Sequence, residues 1–316
     1  MKKTVSLILG SGGARGLTHI GIIRELEQRG YDIRAIVGCS MGSLVGGLYA
    51  AGQLDAYTEW VSELTEWDVL RFLDISLTIR SGMMKGDLIM DKLRELVGEQ
   101  QIEDLAIPFT AVATDIIARR EVWLGHGDLF EAIRASIAIP GIFTPQVVGG
   151  KMLVDGGLLN PLPIAPATDD WTDLTIAVSL SGRAVSEPLG PNPVPHKEHS
   201  IAAYRARIDN FLGVVQKNLG LEASDEPEPQ HLSLSSVLMS MFDTMQSAIA
   251  RYRLAAYPPD VLIEIPENVC ASHEFYKADQ LIAAGHYWAQ QALAQSPSPA
   301  SRSPADSSGQ GTGIRT

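Results

Sequence analysis

Hydrophobic positions in the first fifty residues switch between two periods. Val5-Ser6-Leu7-Ile8-Leu9 is a short apolar run closed by Gly10, the pattern of a strand buried on both faces. Ile20, Ile23 and Leu26 then fall at helical spacing within Thr18–Arg29, and Gly30 stops that helix. Ile33–Val37 predicts a second buried strand, and Met41–Ala51 a second helix ended by Gly52. Strand, helix, strand, helix at this spacing makes the strands parallel neighbours joined by a right-handed crossover. Further strands are expected at Phe109–Ala113, Glu121–Leu124, Met152–Val154, Leu174–Leu180 and Val261–Ile265, with helices between them. Asp128–Ser136 is one such helix, ending before Pro140, and Phe275–Ala294 closes the folded part.

Two regions leave the pattern. Ser186–Gln230 holds Pro188, Pro191, Pro193, Pro195, Pro227 and Pro229 and an acidic patch at Asp225, Glu226 and Glu228. It reads as an insertion with mobile flanks around a helix at Ile201–Leu219. Ser296–Thr316 is rich in Ser, Pro and Gly and is expected to be disordered. The organisation expected is a core over 1–185, an insertion over 186–233, a completing helix–strand–helix unit over 234–295, and a tail over 296–316.

Composition narrows the function. With 316 residues, 45% hydrophobic and only 20% charged, there is ample chain for a real core. Lys and Arg number 25 against 37 Asp and Glu, a formal charge of −12. That balance argues against a nucleic-acid partner, because phosphate binding needs a positive field. Two cysteines, Cys39 and Cys270, make no disulfide framework and fit a reducing, cytoplasmic setting. Ala35–Leu54 is uncharged and long enough for a membrane span. Its five glycines and its serines fit strand, tight turn and buried helix instead. Val5–Leu9 is too brief for the core of a signal peptide.

Three glycine-rich turns carry the candidate chemistry. Gly38-Cys39-Ser40-Met41-Gly42 matches G-x-S-x-G, between a predicted strand and a predicted helix. That is the setting a nucleophile elbow needs, with the hydroxyl at the apex and a helix N-terminus beneath it. The competing reading is a plain turn. Gly10-Ser11-Gly12-Gly13-Ala14-Arg15-Gly16 follows the first strand, and its N–H groups would converge on an anion or a tetrahedral oxyanion. It fits neither the dinucleotide fingerprint nor a P-loop. Val154-Asp155-Gly156-Gly157 ends a strand on an aspartate, either a functional carboxylate or one that caps its own turn. No His, Cys and Asp cluster has metal-ligand spacing, so neither metal nor cofactor is expected.

Taken together, in this order and spacing, the three turns resemble the patatin-like phospholipase family. The match also includes Thr18-His19-Ile20-Gly21 and Ser136-Ile137-Ala138-Ile139-Pro140-Gly141-Ile142-Phe143, and covers roughly Val5–Leu180. The chain further resembles the catalytic domain of neuropathy target esterase. This resemblance implies a three-layer α/β/α fold around a central, mostly parallel sheet. It implies hydrolysis of acyl esters, commonly phospholipids or lysophospholipids, by a Ser–Asp dyad without histidine. On this sequence the dyad is Ser40 and Asp155. Gly12, Gly13 and Arg15 form the oxyanion site, Arg15 as electrostatic helper or as loop anchor. Gly10, Gly16, Gly38, Gly42, Gly156 and Gly157 support the turns. Ser11 departs from a position often glycine in the family, which an ordinary φ would tolerate.

The substrate expected is a lipid ester, with peripheral membrane contact as a second expectation. Competing functions are an acyltransferase using the same dyad, a non-catalytic lipid-binding regulator, and a Ser–His–Asp hydrolase with a late histidine such as His273. His19 reads as a packed or capping side chain and Cys39 as a small buried residue. Two apolar stretches remain open. Trp60, Trp67, Val69, Leu70, Phe72, Leu73, Ile75 and Leu77 with Met83-Met84 form a helix packed on the core, an acyl pocket or a lipid contact. Leu234–Tyr252 forms a helix packed on the domain, or else a dimer face or lid.

Overall fold

The structure is a computed structural model that describes residues 2–72, 86–167, 171–195 and 234–295. In chain order the elements are β1 (Thr4–Leu9), α1 (Thr18–Gln28), β2 (Asp32–Cys39), α2 (Met41–Ala50), α3 (Leu54–Ser62), α4 (Glu66–Phe72) and α5 (Asp87–Val97). There follow β3 (Phe109–Asp115), β4 (Arg120–Leu124), α6 (Leu129–Ser136), β5 (Gln146–Val148), β6 (Lys151–Asp155) and β7 (Leu174–Gly182). The chain closes with α7 (Leu234–Ala256), β8 (Val261–Pro266) and α8 (Ala278–Gln295).

One sheet runs β5-β6-β3-β2-β1-β7-β8, with β4 also paired to β3. The strands β3, β2, β1, β7 and β8 are mutually parallel, whereas β4 and β6 run antiparallel to β3 and β5 antiparallel to β6. Helices cover both faces. Val5, Leu7 and Leu9 of β1 point into a large core shared with α1, α2 and α8. Ile8 points the other way, with Val37, Val112 and Ala177, onto Ala250 and Leu254 of α7 and the segment around Leu162 and Ile164. Alternation along β1 thus feeds two layers, as a strand covered on both sides requires. This is the three-layer α/β/α arrangement with a mostly parallel sheet that the family resemblance implies.

Register brings the candidate site together. Cys39, the last residue of β2, pairs with Val112 of β3, and Asp155, the last residue of β6, pairs with the next β3 residue, Ala113. The other edge of β3 is taken by β4 from Ala111 to Asp115, so β2 and β6 share one edge, end to end. Ser40 and Asp155 therefore leave the sheet side by side.

Several elements differ from the sequence reading. The hairpin β5–β6 has a strand of only three residues, too short for a period to register. The final helix starts at Ala278, preceded by a turn of 3-10 helix at Phe275–Lys277. The first residues of the expected insertion lie against α8. Trp288 Nε1 donates to the Pro188 carbonyl at 2.8 Å, and Gln280 Nε2 to that of Val194 at 2.8 Å. That flank is thus seated rather than mobile. Residues 196–233 and 296–316, which hold the expected Ile201–Leu219 helix and the tail, lie outside the described residues, as do 73–85 with Leu73, Ile75, Leu77, Met83 and Met84. On α7, Arg253 pairs with Glu121 of β4 at 2.7 Å, fixing the helix to the sheet. No helix among the described residues is long and apolar enough to cross a membrane.

Candidate active site

Ser40 stands between β2 and α2 with φ 53° and ψ −122°, in the left-handed half of the map where a non-glycine residue is strained. Such strain costs roughly 1–3 kcal/mol and persists only where the surroundings enforce it. Here they do. Gly42 lies so close to β1 that a Cβ would sit 2.0 Å from the Leu9 carbonyl oxygen, so only glycine lets the helix start there. The Ser40 N–H donates to Ser136 Oγ at 2.9 Å, and Ser136 Oγ donates to the Val112 carbonyl at 2.6 Å. The hydroxyl of Ser136, at the end of α6, thus ties the turn to β3.

Asp155 is wholly buried. Its Oδ1 accepts from the Gly157 N–H at 2.7 Å, so the turn-capping role holds for one oxygen. Oδ2 is also buried and has no well-formed hydrogen bond among the described residues. Burial pushes the carboxyl up to about 7, against the Ser40 hydroxyl and the Gly157 N–H, which both pull it down. The Ser40 hydroxyl is therefore near enough to act on the carboxylate without a well-formed hydrogen bond to Oδ2. Gly156 allows this approach, since a Cβ there would lie 2.2 Å from the Val112 carbonyl oxygen.

The first glycine loop faces the same space. Gly10 N–H and Ser11 N–H are spent on the carbonyls of Val178 and Pro161, and Ala14 N–H on that of Ser272. The N–H groups of Gly12 and Gly13 have no partner among the described residues, and both glycines line the cavity with Ser40. Ser11 keeps an ordinary negative φ, so its departure from glycine costs nothing. Gly10, Gly16, Gly38 and Gly157 all sit at close contacts that leave no room for a side chain.

Arg15 is not on the cavity wall. Its Nε donates to the Gly12 carbonyl at 3.0 Å, and its Nη2 to Asp243 of α7 at 3.2 Å. Of the two roles open in the sequence, the geometry is that of a loop anchor. The Gly12 carbonyl and the Gly13 N–H belong to one trans peptide and point opposite ways. Holding the carbonyl on Arg15 therefore aims the N–H. His19 anchors the loop from below: its Nε2 bonds the Gly10 carbonyl at 2.9 Å, and burial lowers the imidazole to about 4, keeping it neutral. Neither His19 nor any other described histidine hydrogen-bonds Ser40 or Asp155, although His273 lines the cavity. His196, His199 and His231 lie outside the described residues. Cys39 is buried, and burial followed by the Asp155 and Glu121 charges pushes its thiol well up, which leaves it inert.

The cavity holds about 470 Å³. Its apolar wall comes from α2, α3 and α5 and the 137–143 loop, with Leu44, Trp60, Leu93 and Phe143 among its residues. Of the stretch read from Trp60, Trp60 and the buried Val69 form part of this wall, whereas Trp67 is exposed. The polar lining beyond Ser40 comes from the Ser11 loop, from Asp243 and Gln246 of α7, and from Ser272 and His273. No group of His, Cys, Asp and Glu among the described residues is arranged to hold a metal.

Residues 7–168 match the family model described as patatin-like phospholipase. An NTE family protein of Mycobacterium tuberculosis is 41% identical over 328 aligned positions, covering 92% of this chain and 91% of the relative. The chain belongs to the patatin-like phospholipase family. Human patatin-like phospholipase domain-containing protein 6 is 34% identical over 188 positions, covering 57% of this chain and 14% of that protein. Neuropathy target esterase of Drosophila pseudoobscura is 34% identical over 167 positions, 51% of this chain and 11% of the relative. The solved structure of VipD from Legionella pneumophila aligns with a TM-score of 0.43 at 14% identity, covering 93% of this chain and 67% of that one. The family match contains Ser40, Asp155, Ser136 and the glycine loop, but stops short of Asp243 and Gln246. These last two carry no local sequence signal: Asp243 meets Arg15 across 228 residues.

Proposed function

We propose that the chain is a serine acyl hydrolase of lipid esters, of phospholipase A or lysophospholipase type, working through Ser40 and Asp155. One observation carries this reading: a strained serine beside a buried, proton-hungry carboxyl, at the polar end of an apolar cavity. Ser40 Oγ attacks the ester carbonyl while its proton passes to Asp155. The carbonyl oxygen becomes an oxyanion and takes hydrogen bonds from the Gly12 and Gly13 N–H groups, with the N-terminus of α2 adding a favourable field. The C–O bond to the alcohol breaks, and Asp155 returns the proton to the leaving oxygen. Water then attacks the acyl-Ser40 ester, giving its proton to Asp155, and the fatty acid leaves as Ser40 recovers its hydroxyl. An aspartate with an ordinary pKa would be a feeble base, and the burial of Asp155 brings it near working pH. Peripheral contact with a lipid surface belongs to the same proposal. Val237, Met241, Met245 and Tyr252 form an exposed apolar stripe on α7, the helix that also lines the cavity.

The test is a panel of lipid esters scored for released fatty acid with wild type, Ser40→Ala and His273→Gln. Release by wild type and by His273→Gln, and none by folded Ser40→Ala, is the expected result. Release by Ser40→Ala would overturn the assignment, and loss in His273→Gln as severe as in Ser40→Ala would make it a histidine-dependent triad.

A further inference from the structure

We infer that Gln246 determines substrate specificity: its side-chain amide binds a free hydroxyl on the alcohol half of the substrate, next to the scissile ester. The inference rests on the reading of Ser40 and Asp155 as nucleophile and base. Gln246 is 5% exposed, yet its amide makes no hydrogen bond among the described residues, and the residue forms part of the cavity wall. The amide is not sealed off: it opens onto the cavity, where water or a bound substrate serves as its partner. Packing alone would be served as well by methionine or leucine at this place.

The position of the amide says which part of a substrate it meets. A Cβ on Gly157 would lie 2.2 Å from Gln246 Nε2 and 2.9 Å from Asp155 Oδ1, so both groups flank the same spot. The amide therefore stands on the side of the base. Asp155 hands its proton to the leaving oxygen, so the alcohol half of the ester passes there, while the acyl chain takes the apolar wall. One turn back on the same helix, Asp243 is already committed to Arg15 and, at 3.5 Å, to Ser272. That leaves Gln246 as the uncommitted polar group of α7 in the cavity. An amide offers a donor and an acceptor, and a hydroxyl can answer either. An acyl or alkyl chain in that place answers neither and leaves the amide stranded.

The experiment compares two esters of one fatty acid in the full chain: 1-monoacylglycerol, with its free vicinal hydroxyl, and the monoester of propane-1,3-diol, which lacks it. The readout is the ratio of their kcat/KM values. Wild type should favour the hydroxylated ester by about tenfold or more, the worth of one well-made buried hydrogen bond. Gln246→Met, similar in shape and without the amide, should bring the ratio close to one. Should that variant fail to fold, Gln246→Asn, with the amide withdrawn by one methylene, is read on the same ratio and should lower it. A wild-type ratio near one, or a ratio that survives substitution, overturns the role of Gln246 while the hydrolase reading stands. Cleavage of neither ester by folded wild type, with no release across the lipid panel, overturns both.

Discussion

At the scale of single residues, the site is a set of groups that each violate a local preference. Ser40 is strained, Asp155 is a buried acid, and the N–H groups of Gly12 and Gly13 have no partner among the described residues. Such departures are tolerated where function needs them. Asp155 makes the cost measurable. Its carboxyl titrates near 3.8 in the unfolded chain and about 7 in the folded one. Between those values the folded chain holds a proton that the unfolded chain has released, so stability falls as pH rises through this window and levels off above it. The ceiling on that loss is about 4 kcal/mol. Asp155→Asn keeps an acceptor for Gly157 and does not titrate. It should therefore gain on wild type as pH rises from about 4 to about 8, while ester hydrolysis falls by about a hundredfold or more. Urea unfolding of both proteins at the two pH values checks this, and a pH-independent gap would contradict it. Ser40 and Asp155 were legible because glycine-rich turns and strand ends are local signals. Gln246 and Asp243 were not, because an amide or a carboxylate on a helix face reads as ordinary surface until the helix is docked.

At the scale of elements, the register of β3 sets the geometry. Its one edge holds β2 and then β6, which brings the ends of both strands together at Ser40 and Asp155. The parallel strands were readable as apolar runs separated by helical spacing. The β5–β6 hairpin was not, because three residues and a Gly149-Gly150 turn leave almost no periodic pattern. Ser136 joins these elements: it accepts from Ser40 and donates to Val112 from the last turn of α6. Ser136→Ala would leave a buried N–H and a buried carbonyl unpaired, at roughly 1–3 kcal/mol each. The variant should lose about 2 kcal/mol or more in urea unfolding. Its kcat should fall by about tenfold with a smaller change in KM, because the elbow that holds the nucleophile is loosened. Wild-type stability and kcat together would show that the bridge carries no weight.

At the scale of the molecule, the family core and the C-terminal segment build one site from two ends of the chain. The core supplies Ser40, Asp155 and the Gly12 and Gly13 N–H groups. The α7 helix, beyond the family match, supplies the anchor for Arg15 and the polar wall, while α8 packs against α1 beneath the glycine loop. The central claim is that Ser40 is activated by Asp155 with no histidine between them. The measurement that bears on it most directly is the rate of covalent labelling by a fluorophosphonate, followed against pH and mapped by peptide mass spectrometry. The adduct should fall on the peptide carrying Ser40. Its rate should rise with pH as Asp155 ionises at about 7, drop by about a hundredfold or more in Asp155→Asn, and persist in His273→Gln. An adduct on another residue, or labelling that survives Asp155→Asn and is lost in His273→Gln, would contradict the account.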